Sequence, residues 1–110
     1  MTTFDDREKG FEKKFALDQE QTFRAHARRD KLFGLWAAGK MGLAGVEAEA
    51  YAKSIVAEDM KEPGDGDVLR KVTADMTAKS VNVPAAELMT KLDEMFNTAR
   101  SQIAVEAKKG

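Results

Sequence analysis

The chain has 110 residues, 34% of them charged and 43% hydrophobic, with 18 basic against 19 acidic side chains and a net charge of −1. This composition fits one compact domain and excludes a wholly disordered chain. The lack of cysteine excludes disulfides and thiolate metal sites, and the charge balance argues against a general nucleic-acid or anionic-membrane binder.

No apolar run approaches the ~20 residues of a membrane span, and no signal-peptide core follows Met1. A cytoplasmic protein is the expectation. No β-branched or aromatic run alternates with period two, so the pattern predicts an all-α fold. Pro63 and Pro84 read as punctuation between helices.

A first helix is expected from about Thr3 to Ala38, with Thr2 or Thr3 as its cap and Asp5, Asp6 and Glu8 at its positive end. Gly10 is its weak point, and Gly39, Gly42 and Gly45 mark its end and a loop. A second helix follows from about Val46 to Lys61, with Ala48, Tyr51, Ala52, Ile55, Val56 and Met60 on its apolar stripe. Glu62 to Gly66 form a turn, with Asp65 or Asp67 as the next cap. The third helix covers about Val68 to Ser80, with Val68, Leu69, Val72 and Met76 inward. Pro84 opens a fourth, whose stripe runs Ala85, Leu88, Met89, Leu92, Met95, Phe96, Ala99 and Ile103. Short loops make this a four-helix bundle, with Leu32, Leu35, Trp36, Met41 and Leu43 joining the core.

The first helix is too long for that bundle. From Phe4 to Ala38 it would reach roughly 52 Å at 1.5 Å per residue. Its first half is therefore expected to protrude, to fold back at a break, or to be disordered. Six of the aromatics (Phe4, Phe11, Phe15, Phe23, Phe33 and Trp36) lie in the first third, leaving only Tyr51 and Phe96 beyond. Phe4, Phe11 and Phe15 share one helical face amid dense charge. Three rings on a marginal helix suit a groove on another protein. The competing reading packs them on their own bundle.

The chemical motifs are weak. Gly34 to Lys40 match the start of a phosphate-binding loop, but Met41 stands where Ser or Thr should hold magnesium and no strand precedes it. A helix end followed by a glycine loop accounts for them better. His26 is the one histidine and reads as a solvated residue. Arg24, Arg28, Arg29 and Lys31 read as a solvated helix face, and the six methionines as mostly core gap-fillers. No calcium loop, metal site or nucleophile-and-base set is present in the sequence. Binding is a better class than catalysis, and no cofactor is expected. An alternative reading is a small nucleotide- or ligand-binding bundle with Arg28, Arg29, Trp36 and Lys40 about its pocket.

Three blocks carry a family resemblance. They are Thr3 to Ala16, with Phe4-Asp5-Asp6-Arg7-Glu8-Lys9-Gly10-Phe11-Glu12-Lys13-Lys14-Phe15; Ala27 to Ala38; and Tyr51-Ala52-Lys53 through Glu62-Pro63-Gly64-Asp65 to Val68. The chain resembles the zeta subunit family, small inhibitors of alphaproteobacterial F-type ATP synthase. The resemblance implies a four-helix fold with a mobile N-terminal inhibitory segment. It implies that this segment enters a catalytic α/β interface of the F1 head and blocks rotary ATP hydrolysis.

The expected division is an inhibitory segment over 1–20 and a bundle over 21–110. The expected partner-binding residues are Phe4, Asp5, Asp6, Arg7, Glu8, Lys9, Phe11, Glu12, Lys13, Lys14 and Phe15. The rings would be buried and the charges would pair along the rim. The partners would be the α, β and γ subunits of F1, reached by a chain that is monomeric when free. Neither nucleic acid nor membrane insertion is expected, and the bound protein would sit at the cytoplasmic face of the inner membrane.

Overall fold

The structure, a computed structural model, describes residues 17–61 and 64–109. Four helices follow in order: α1 (Gln19–Lys40), α2 (Gly45–Asp59), α3 (Gly66–Ala78) and α4 (Ala85–Lys109), with no strand among the described residues. The all-α four-helix class expected from the sequence is the fold.

The single unbroken helix from Thr3 to Ala38 is not. Leu17 and Asp18 are non-helical, and Asp18 caps α1. Its Oδ1 accepts from the Gln21 N–H at 2.7 Å, while Gln21 Oε1 accepts from the Asp18 N–H at 3.1 Å. This reciprocal capping box satisfies two donors that a helix start leaves open, and so fixes a start here. The Thr3 cap and the Gly10 weak point lie outside the described residues.

At its other end α1 runs two residues past Ala38. Gly34 to Lys40 are the last turns of the helix and form no phosphate loop, and the expected glycine loop follows them. The turn comes at Gly42 (φ +82°), where Leu43 N–H donates to Ala38 O and Gly42 N–H to Gly39 O. That double bond pattern closes a helix through a left-handed residue, a position for which glycine has no Cβ penalty. The same pattern ends α3, with Val81 N–H on Met76 O and Ser80 N–H on Thr77 O. There the left-handed residue is Ser80 (φ +61°).

The main core joins Phe33 and Ala37 of α1, Ile55 of α2, Val68, Val72 and Met76 of α3, and Leu88 and Leu92 of α4. Trp36, Met41, Tyr51, Leu69 and Met95 pack against it half-buried. Helix α1 is the central element, lying along both α2 and α4. Against α2 it carries small residues: a Cβ added to Gly34 would stand 2.7 Å from the Ala52 Cα. Against α4 it sets Arg28 on Gln102 and Glu106, and His26 on Phe96. Three residues of the expected apolar stripes face solvent instead: Met60 is 67% and Met89 55% exposed, and Ala85 is exposed as well.

Candidate functional site

The expected partner-binding residues, Phe4 to Phe15, lie outside the described residues. The described chain nearest to them is Leu17, Asp18 and the first turns of α1, and the site is built from that end.

Three features meet there. The first is an exposed apolar strip: Phe23 of α1 is 61% and Met60, just after α2, 67% exposed. With Ala27 and half-buried Val56 they wall a groove of about 430 Å³ whose remaining lining is His26, Asp30 and Asp59. The second is a buried ionic cluster behind that groove. Arg29 and Asp30 are only 4% and 1% exposed. The Arg29 guanidinium reaches Asp30 at 2.9 Å, Asp59 at 3.3 Å and Asp65 at 2.9 Å. It thereby ties α1 to the end of α2 and the start of α3.

Three carboxylates around one cation are too many for all to ionise freely. Burial pushes the Asp30 carboxyl up to about 8; its hydrogen bond with Asp59 adds to the rise, and Arg29 opposes it. Among the described residues no set of His, Asp and Glu is arranged for a metal ion. The cation of this cluster is the arginine.

The third feature is His26, which stacks on Phe96 of α4 with centroids 4.7 Å apart. Burial lowers its pKa, and the neighbouring Arg29 lowers it further, against weaker opposition from Asp59 and Asp65.

Two expectations fail here for one reason. His26 and Arg29 read as solvated because their sequence neighbours are charged, yet a helix sorts residues by face. Arg29 and Asp30 lie four residues before Phe33 and Gly34, both of them buried. That spacing places the ion pair on the core-facing stripe, and it was the signal available for finding it. Asp65 does occupy the N-cap position of α3, but its side chain makes no capping hydrogen bond; it is committed to Arg29.

Of the four residues of the ligand-binding alternative, the two arginines are engaged apart from Trp36 and Lys40. Arg28 bonds Gln102 and Glu106 of α4, each at 2.8 Å, and Arg29 belongs to the buried cluster. Trp36 stacks on Phe33 with centroids 5.7 Å apart, and the Lys40 and Lys91 ammonium groups each lie 5.7 Å from its ring centre. Trp36 and Lys40 are thus neighbours, and the two arginines are engaged elsewhere. On the far side of α2, Tyr51 donates to Asp75 at 2.8 Å, and Lys71 pairs with the same carboxylate at 3.1 Å. No described helix is long and apolar enough to cross a membrane.

Comparison with known proteins agrees with this architecture. A family model described as ATPase inhibitor subunit zeta matches residues 1–102. A protein solved by solution NMR is 43% identical, with a TM-score of 0.68 over 76% of this chain and 95% of its own. No curated protein matches the chain.

Proposed function

Given that the chain belongs to the ATPase inhibitor subunit zeta family, we propose that it inhibits ATP hydrolysis by inserting its leader, from about Met1 to Leu17, into a catalytic α/β interface of the F1 head and blocking rotation. Family membership makes it a regulatory subunit of an ATPase; the route of inhibition is the proposal. The observation that carries it is the extent of the match. It includes the Phe-bearing leader as well as the helical body.

The capping box supports the division of labour. A segment that must refold inside a partner is best joined to its carrier at a definite helix start, so that its state does not propagate into the body. Phe4, Phe11 and Phe15 would be the buried anchors. Asp5, Asp6, Arg7, Glu8, Lys9, Glu12, Lys13 and Lys14 would pair along the rim and set orientation. The body that begins at the Asp18 cap would stay outside as a wedge. The α and β subunits would hold the leader, and γ would meet the wedge. The free chain would be a monomer, and the bound one would sit at the cytoplasmic face of the inner membrane.

The test is ATP hydrolysis by the cognate F1 with the full chain, with a chain lacking the first 17 residues, and with the triple change Phe4→Ala, Phe11→Ala, Phe15→Ala. Full-length protein should inhibit and the other two should not. Equal inhibition by all three removes the leader from the mechanism. No inhibition by the full chain removes the function.

A further inference from the structure

The groove beside the start of α1 has a composition that neither stability nor the leader's insertion explains. Phe23 and Met60 are its two most exposed apolar side chains, and they line it together with Val56. Its polar lining is Asp30 and Asp59, with His26 held against Phe96.

Charge at this end of the molecule is unevenly matched. On the other side of Phe23 a second groove carries Arg24, Arg28 and Lys31. Each of those cations has its own carboxylate: Arg24 has Glu20 at 2.7 Å, Arg28 has Glu106 at 2.8 Å and Lys31 has Glu49 at 4.0 Å. Nearby Lys61 has Glu58 at 3.1 Å. On the acidic side, among the described residues, Asp30, Asp59 and Asp65 pair with the one guanidinium of Arg29. With Asp30 protonated at neutral pH, Asp59 and Asp65 still outnumber Arg29 among the described residues, and Asp59 is the one of the two that lines the apolar groove.

From this arrangement we infer that the groove between α1 and α2 is a second docking surface for the ATPase, taking a lysine or arginine carried on an apolar-flanked segment of the F1 head. The inference rests on the proposed function for the identity of the partner. The side chain's methylenes would lie against Phe23, Val56 and Met60, and its cation would meet Asp59 at the groove floor. Location supports the assignment. Phe23 lies five residues past Asp18, roughly 7.5 Å along the helix axis, so a partner holding the leader is already beside the groove. Two linked contacts bind more tightly than either alone, because the second forms at high effective concentration. Removing one should show chiefly as faster dissociation.

The experiment uses the full chain and the cognate F1. The double change Phe23→Ser, Met60→Ser alters two exposed side chains, and its thermal unfolding should match the wild type. It should dissociate from F1 about tenfold faster or more, while inhibition at saturation stays complete. Asp59→Asn should act in the same direction and reduce the salt dependence of binding. Independently, a photo-crosslinker at position 60 of the otherwise wild-type chain should capture an F1 segment containing Lys or Arg. Wild-type dissociation rates in both variants overturn the docking surface and leave the inhibitory leader standing. Capture of the chain's own leader or of a second copy also overturns it. Failure of the wild-type chain to bind F1 at all overturns the proposed function, and this inference with it.

Discussion

The imidazole of His26 lies stacked on the ring of Phe96, 4.7 Å between centroids and 28° between planes, joining the first and last helices near the start of α1. The contact explains why the histidine titrates low. Its folded pKa is depressed below 6.5 by burial and by Arg29. The unfolded chain therefore binds a proton more readily than the native one. The stabilising contribution is complete above pH 6.5 and is lost as pH falls through the lower folded value. An NMR titration of the imidazole should give a midpoint below 6.5. Phe96→Ala should raise that midpoint and cost about 3 kcal/mol or less, because the ring is only half-buried.

Asp30 has the opposite linkage. Its folded pKa is raised from 3.8 to about 8, first by burial and then by Asp59. Arg29, Asp59, Asp65 and His26 are the charged or titratable groups about it. The native state holds a proton that the unfolded state releases. Stability from this group is present below pH 3.8 and is lost as pH rises through about 8. The Tm should therefore fall between pH 6 and 9, by roughly 4–8 °C for each kcal/mol lost. Asp30→Asn imitates the protonated carboxyl and should flatten that slope, so that the variant exceeds the wild type at pH 9.

Gly34 and Gly39 sit on the same helix and should respond with opposite signs. A Cβ at Gly34 would meet the Ala52 backbone at 2.7 Å, whereas one at Gly39 meets nothing within 4 Å. Gly34→Ala must push α2 away and should cost about 1–3 kcal/mol, as overpacking does. Gly39→Ala should gain about 0.5–1 kcal/mol by removing freedom from the unfolded chain. Urea unfolding of the two single variants gives both values.

Ser80 closes α3 at φ +61°, a conformation that costs a non-glycine residue roughly 1–2 kcal/mol. Ser80→Gly should recover part of that and raise the urea midpoint without changing the slope. Ser80→Val should lower the midpoint, because branching at Cβ makes the left-handed region still less accessible.

Much of the fold was readable from spacing. Val68, Val72 and Met76 recur every four residues and all three are buried, as are Ala48, Ala52 and Ile55 of the second helix. The start of α1 was missed for a different reason. Asp18 and Gln21 form a capping pair only if the chain breaks there, and the surrounding charged residues are equally at home inside a helix. The Arg29 cluster was harder still. Asp59 and Asp65 are distant from Arg29 in sequence and meet it only where the end of α2 and the start of α3 come against α1. Sequence spacing could place Arg29 and Asp30 on the buried face, but it could not name their partners. The exposure of Phe23 and Met60 was likewise not legible, because Phe23 lies near the start of α1 and Met60 just past the end of α2, where spacing alone does not say whether a neighbour covers the side chain.

The central position of α1 has a mechanical consequence. Any force applied to residues 1–16 enters the body through Leu17 and passes directly into this helix. Because α1 lies along both α2 and α4, an axial pull loads those two seams in shear across many side chains at once. It does not peel away one peripheral helix. Near the loaded end, Arg28 reaches across to Glu106 and Arg29 to Asp59 and Asp65, cross-bracing the helix to the rest of the body. A body built this way carries an axial load across two helix seams together, so it yields as a unit and not helix by helix.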